Sequence, residues 1–308
     1  MDTIQKACFS KIVYINLYLA HCPKGEKTWR DNLKREIKLV AIDLDGTLLT
    51  SNKQVTSKTI ETLKKVVEQG VIVVIATGRP LLGLEPVIEG VPRSPYMLTT
   101  NGARVVNMNT GEVILERLIS HDVVLKIFNI LDQYDCVKEI FYDGQGYVAA
   151  DEMSRIHLYH KKPEMCDYVR KTRKPIPDIL EFIKEKKKSA DKAQGIFNNM
   201  EIRQQVWQEL NNLGELTLFD SYYYNIEINA KGVEKGSSLK FLAERLGIKQ
   251  DEVMAIGDGA NDFWMIQYAG VGVAMGNSKN RIKEVADVVT VSNDEDGVAR
   301  VLEEYVLN

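Results

Sequence analysis

The stretch from Lys38 to Thr50, KLVAIDLDGTLLT, constrains this chain more than any other. Its first five residues, Lys38 to Ile42, form a nearly continuous apolar run that gives way to Asp43, Leu44, Asp45, Gly46 and Thr47. A strand buried on both faces of a parallel sheet has this character, and its carboxyl end is where charged groups emerge. In open α/β sheets the ligand crevice lies beyond those ends, so two carboxylates two residues apart can converge on one small space. Gly46 has no Cβ and lets the backbone turn close beside a ligand. An ordinary surface turn would use the same residue types. A calcium loop is excluded, because its fifth and twelfth positions counted from Asp43 are Thr47 and Gln54, not an acidic residue and a Glu.

The sequence that follows supplies the rest of a sheet. A helix is expected from Ser57 to Gln69, stopped by Gly70, and then a strand from Val71 to Ala76. Such β-α-β alternation predicts parallel strands with right-handed crossovers. The second strand ends in Thr77-Gly78-Arg79-Pro80, where a hydroxyl and a guanidinium beside a Gly suit an oxyanion. A third strand, Tyr96 to Thr99, leads to Thr100-Asn101-Gly102-Ala103 and a hairpin around Asn109-Thr110-Gly111.

From about Leu118 to Asp220 the pattern changes. Helices at His121 to Gln133 and Pro177 to Lys188 alternate with short strands at Glu139 to Tyr142, Tyr147 to Ala149 and Gly195 to Asn198. This reads as an α+β domain inserted into the first. The expected division is an N-terminal extension at 1–36, a core at 37–117 and 221–308, and an insertion at 118–220. Lys184 to Lys188 reads as a solvated helix face, and His157 and His160 as surface residues without a third metal ligand.

The strand Tyr223 to Ile228 is expected to return the chain to the core, ahead of Lys235 and a helix from Ser237 to Leu246. A Lys at a helix start opposes the helix dipole, but with the free N–H groups it can hold a phosphate. A buried strand, Val253 to Gly257, then delivers Asp258, Asn261 and Asp262 to the same edge. The glycines Gly270, Gly272 and Gly276 are spaced G-x-G-x-x-x-G, a weak match to a dinucleotide fingerprint. A strand at Asp287 to Val291 and a helix at Asp294 to Val306 close the chain.

Composition limits the partners. With 308 residues, 44% hydrophobic and 27% charged, the chain has room for about two globular domains. A net charge of -3 offers no bulk attraction to nucleic acid or an anionic membrane, so small molecules are the expected partners. Cys8, Cys22, Cys136 and Cys166 form no C-x-x-C pair, which fits a reducing cytoplasm. No run reaches the ~20 apolar residues that span a bilayer. Ile12 to Ala20 faintly resembles a signal-peptide core, but His21 and Cys22 offer no small-x-small cleavage site. Oligomeric state is not legible.

Asp43 and Asp45, Thr77, Lys235, and Asp258 with Asn261 and Asp262 all fall at strand ends. Carboxylates so clustered need a hard cation, and Mg²⁺ accepts a few carboxylates plus water and phosphate oxygens. D-L-D-G-T-L at Asp43 to Leu48, T-G-R at Thr77 to Arg79, Lys235, and G-D-G-x-N-D at Gly257 to Asp262 resemble the four motifs of haloacid dehalogenase-like phosphatases. The N-G-A at Asn101 to Ala103 and the long insertion resemble the Cof-type branch, which carries a large α/β cap.

The resemblance implies a Rossmann-like core with an inserted α+β cap. It implies Asp43 as nucleophile and Asp45 as acid and base. Mg²⁺ would sit on the Asp43 carboxylate, the Asp45 backbone carbonyl and Asp258, with Asp262 in support. Thr77, Gly78, Arg79, Asn101, Lys235 and Asn261 would contact substrate, chiefly its phosphoryl oxygens. Sugar phosphates are the first expected substrates, and cofactor phosphates such as pyridoxal phosphate or flavin mononucleotide the second. A phospho-Asp signalling switch would share the nucleophile but lack the second Asp, and a phosphomutase would return the phosphoryl group. Residues 1 to 36, ahead of the first core strand, are expected to be dispensable.

Overall fold

The computed structural model describes residues 36–82, 84, 88–160, 163–221 and 224–308. The expectations for residues 1 to 36 fall, but for Glu36, outside these residues.

Two sheets organise the chain. The first has eight strands in the order β14-β13-β12-β1-β2-β3-β4-β5. Its centre is β1 (Leu39–Ile42), flanked in parallel by β2 (Ile72–Ala76) and, much later in sequence, by β12 (Val253–Gly257). β3 (Tyr96–Thr99) extends the parallel set, and β4 (Arg104–Asn107) and β5 (Val113–Glu116) add an antiparallel edge. β13 (Val271–Ala274) and β14 (Val288–Val289) form the other edge.

The apolar run of β1 follows from its place. Val40 and Ile42 pack on one side with Leu63 and Val66 of helix α1 (Ser57–Glu68), while Leu39 and Ala41 face the opposite cluster around Leu239 and Leu242. With both faces covered, no position in the strand tolerates a polar side chain. Helix α1 begins where Thr56 Oγ1 accepts from the Thr59 N–H, a hydroxyl cap on an otherwise unsatisfied donor.

The second sheet has six strands in the order β10-β11-β9-β6-β7-β8. They are β6 (Val137–Tyr142), β7 (Gln145–Ala149), β8 (Arg173–Ile176), β9 (Lys192–Ile196), β10 (Leu216–Phe219) and β11 (Asn225–Ala230). Helices α2 (His121–Leu131), α5 (Ile179–Lys186) and α6 (Met200–Asn212) contribute to one cluster with Ile226 and Ile228 of β11. Short helices α3 (Ala150–Ser154) and α4 (Pro163–Thr172) precede β8.

Several expectations are corrected. The strand expected to return the chain to the core pairs instead with β9 and β10 in the second sheet, so the return comes after Ala230 and not at 221. An apolar alternation cannot say which of two sheets a strand joins. Helices α4 and α6 and strands β8, β10 and β13 were not anticipated. His160 is buried at 5% exposure, with Nδ1 3.2 Å from Tyr224 Oη, whereas His157 is exposed. The lysines at 184–188 do lie on an exposed face.

The return to the core runs through α7 (Lys235–Arg245), which starts two residues earlier than expected. Then come α8 (Phe263–Tyr268), α9 (Asn280–Lys283) and α10 (Gly297–Tyr305). Gly270 and Gly272 pack against the backbone of Asp251 and Ile266, so the G-x-G pattern serves close packing. No helix among the described residues is long and apolar enough to cross a membrane.

Candidate active site

Three strand ends meet at one edge of the eight-stranded sheet. Asp43 follows β1 and is buried at 5% exposure, its N–H bonded to the Ile256 carbonyl of β12. Lys235, the first residue of α7, is fully buried and bridges two carboxylates: Nζ lies 2.5 Å from Asp43 Oδ1 and 2.6 Å from Asp262 Oδ1. Burial opposes the ammonium charge, but Asp262 and Asp43 outweigh it and hold the Lys235 pKa above its ordinary value.

Carboxylate oxygens of Asp43, Asp258 and Asp262 lie within 4.8 Å of one another. Burial, then the Asp262 charge, pushes the Asp43 carboxyl well up, more than Lys235 offsets. The same two causes push Asp258 up to about 7. Asp262 is the best satisfied: its Oδ2 accepts the backbone N–H of Asp258 and Gly259 at 2.9 and 2.8 Å. Asp258 accepts from Thr47 Oγ1 at 3.1 Å, and among the described residues no basic side chain pairs with it. One ammonium for three carboxylates leaves a deficit of positive charge that a hard divalent cation fits. Asp43 and Asp258 would be direct ligands, with Asp262 fixing the loop behind them. Gly46 (φ +88°) permits this crowding, since a Cβ there would stand 2.5 Å from Asp258 Oδ2.

The Asp45 carboxylate faces a different set. Arg79 grips it with two bonds, Nε to Oδ2 at 2.6 Å and Nη2 to Oδ1 at 2.7 Å, and Lys53 Nζ adds a third at 2.7 Å. Burial works against the charge, but these cations hold the carboxyl far below its usual range. Arg79 also lies over the Tyr168 ring of α4, 4.4 Å from its centroid. Arg79, expected at the phosphate, is thus engaged with Asp45 and with Tyr168 of helix α4.

Thr77, Gly78, Asn101 and Asn261 form the third group. Thr77 is buried, and its Oγ1 accepts the Arg79 N–H at 3.1 Å. The Asn101 N–H donates to the Thr77 carbonyl at 3.0 Å, stitching the two loops together. Asn101, expected on substrate, has both amide hydrogens committed elsewhere. Its Nδ2 donates to Glu227 Oε2 at 2.6 Å and Asn229 Oδ1 at 3.1 Å, and its Oδ1 accepts from Asn261 Nδ2 at 3.0 Å. Its position is better described as behind the site than in it.

Sequence reasoning missed Lys53, Lys192, Glu227 and Asn229. Lys192 of β9 donates to the Gly78 carbonyl at 2.9 Å and pairs with Glu227 at 3.3 Å. One signal was present: Asn225, Glu227 and Asn229 alternate with Ile226 and Ile228, so β11 has one polar and one apolar face. Nothing marked that polar face as buried against the motif loops.

The sequence pattern of the haloacid dehalogenase-like hydrolases matches residues 40–302. The chain belongs to that family, in its Cof-type branch, and is a hydrolase of phosphate monoesters. It is 31% identical over 273 residues to a Bacillus subtilis protein named 5-amino-6-(5-phospho-D-ribitylamino)uracil phosphatase YcsE, covering 88% of this chain and 97% of that one. It is 30% identical over 284 residues to phosphatase YwpJ of the same organism, covering 86% and 99%. Among solved structures, a haloacid dehalogenase-like hydrolase from B. subtilis superposes with a TM-score of 0.78 at 29% identity, covering 87% of this chain and 99% of that one.

Proposed function

We infer that this chain is a Mg²⁺-dependent phosphatase of small phosphate monoesters whose leaving alcohol is a sugar or polyol. The observation that carries the reading is the Asp43–Lys235–Asp262 bridge beside Asp258, with Asp45 two residues beyond the nucleophile. Support for the alcohol comes from the relative named for a phosphoribityl compound, which aligns over nearly its whole length. That name also keeps phosphorylated heterocyclic cofactors as the second reading.

In this reading Asp43 attacks phosphorus in line and becomes an aspartyl-phosphate while the P–O bond to the alcohol breaks. Asp45 gives its proton to the leaving oxygen and then takes one from the water that hydrolyses the intermediate. With Arg79 and Lys53 bound, Asp45 is held as a carboxylate, so it can take up its proton only once substrate draws Arg79 away. Lys235, Thr77 and Asn261 hold the phosphoryl oxygens. The cation supplies charge neutralisation and orients the nucleophile. Unaided hydrolysis is so slow that accelerations up to ~10²¹ are known, of which general acid help covers about 10² to 10⁴. Fixed charges in the buried site carry much of the remainder.

Residues from about 118 to 230 would act as a cap that closes on the crevice, with Tyr168 meeting Arg79. The free, buried Cys136 and Cys166 suit a reducing cytoplasm. Phosphate release from a panel of phosphosugars, polyol phosphates, phosphorylated cofactors and nucleotides, with and without Mg²⁺, tests the whole reading. Absence of turnover on every ester with Mg²⁺ present would refute it.

A further inference from the structure

We propose that Glu227, a residue of the second sheet, fixes the hydrogen-bond polarity of the phosphate-binding amide of Asn261 through Asn101. The inference rests on the reading of Asn261 as a phosphoryl ligand. The three side chains form one buried chain: Glu227 Oε2 to Asn101 Nδ2 at 2.6 Å, and Asn101 Oδ1 to Asn261 Nδ2 at 3.0 Å. Asn101 has no exposed surface, and Glu227 and Asn261 have 6% and 8%.

A side-chain amide can present oxygen or nitrogen in a given direction, because a half-turn exchanges the two. An ionised carboxylate has no such choice, since it only accepts. Glu227 therefore requires the Asn101 amide nitrogen on its side, which leaves the Asn101 oxygen facing Asn261. That oxygen in turn requires the nitrogen of Asn261. One Asn261 N–H is used in the bond, and the other remains to donate to a phosphoryl oxygen. With the chain reversed, Asn261 would offer its carbonyl oxygen to an anion.

A second acceptor enforces the same sense. Asn229 Oδ1 also takes an Asn101 amide hydrogen at 3.1 Å, and Asn229 is itself fixed because its Nδ2 donates to the carbonyls of Thr100 and Asp191 at 2.9 and 3.3 Å. Both residues belong to β11, on the face opposite Ile226 and Ile228. The backbone at the junction is strained, with Thr100 at φ 50° and Asn101 at φ 61°. Gly78 makes room for it, since a Cβ there would lie 2.8 Å from Asn101 Oδ1 and 3.2 Å from Glu227 Oε2. Glu227 and Asn101 are thus positioning residues acting on Asn261.

The test is calorimetric titration of inorganic phosphate into the full chain with Mg²⁺, alongside thermal unfolding and turnover of p-nitrophenyl phosphate. Glu227→Gln is nearly isosteric but removes the charged acceptor, leaving only the longer, neutral bond to Asn229 to set the polarity of Asn101. It should weaken phosphate binding about tenfold, the scale of one hydrogen bond, and raise KM more than it lowers kcat. Asn101→Asp alone faces two carboxylates at each other and should bind phosphate worse still. The double variant Asn101→Asp/Glu227→Gln reverses the first bond but relieves the repulsion, because the new amide at 227 donates to the new carboxylate at 101, which still accepts from Asn261. It should bind phosphate several-fold tighter than Asn101→Asp.

Phosphate affinity within twofold of the parent in Glu227→Gln, a double variant no tighter than Asn101→Asp, or no phosphate binding by the parent would overturn the proposal. The phosphatase reading fails separately. Phosphate binding that depends on Glu227 without hydrolysis of any ester keeps the relay and removes the reading; hydrolysis with Glu227-independent binding does the reverse.

Discussion

Lys53 holds its ammonium 2.7 Å from Asp45 Oδ1, and it does so from a left-handed backbone with φ 60°. That conformation costs an ordinary L-residue about 1–2 kcal/mol, whereas Gly adopts it freely. Lys53→Gly removes the strain and the ammonium together. We expect the melting temperature to hold or rise while kcat falls roughly tenfold, a small part of what general acid help supplies. A lower melting temperature with unchanged kcat would assign Lys53 to stability alone.

Asp43→Asn should lower turnover by several orders of magnitude, because an amide cannot attack phosphorus in the carboxylate's place. The substitution is nearly isosteric and removes one of the repelling charges, so melting should be unaffected or later. Residual turnover within tenfold of the parent would disqualify Asp43 as nucleophile.

Lys235→Ala leaves Asp43 and Asp262 buried without their shared ammonium. Breaking a buried pair in this way destabilises by about 3–5 kcal/mol, measurable as a shift in the urea midpoint. A loss below about 1 kcal/mol would mean that the two carboxylates find other partners.

Stability should depend on pH in a direction that Mg²⁺ reverses. Asp258 titrates near 3.9 unfolded and is pushed up to about 7 in the fold. Between those values the folded protein binds more protons than the unfolded one, so cation-free stability falls as pH rises through the window. Cation binding needs the carboxylates deprotonated and is favoured over the same range. The melting-temperature increment from Mg²⁺ should therefore be larger at pH 8 than at pH 5, and an equal increment at both would contradict this assignment.

The centre of the eight-stranded sheet was legible because its strands carry two signals at once, an apolar run and a polar terminus, as at Ile42-Asp43 and Ile256-Gly257-Asp258, whereas β13 was hidden in a glycine pattern. The second sheet was less so. There β11 alternates polar and apolar residues as any half-exposed strand does, so neither its pairing partner nor the burial of Glu227 is written in its pattern. Among site residues, those lying directly after a core strand were found, including Asp43, Thr77 and Asp258. Lys53 and Lys192 were not, since a lone Lys in a turn or strand looks the same whether it meets solvent or Asp45. Asn101 and Arg79 were found but not their partners, because hydrogen-bond direction is a property of the folded neighbourhood.

The polar face of β11 also bears on how this enzyme could be re-engineered. Asn229 reaches the Thr100 carbonyl only six residues ahead of Lys235, so on the proposed reading this strand would serve phosphate binding, although its backbone belongs to the other sheet. A chimaera that imports a foreign lid would have to leave Asn225 to Ala230 native and place its downstream junction between β10 and β11, or supply an Asn-x-Glu-x-Asn of its own. Grafts cut at residue 221 with the native β11 retained should keep their grip on phosphate, and grafts that replace β11 should fold and yet release it.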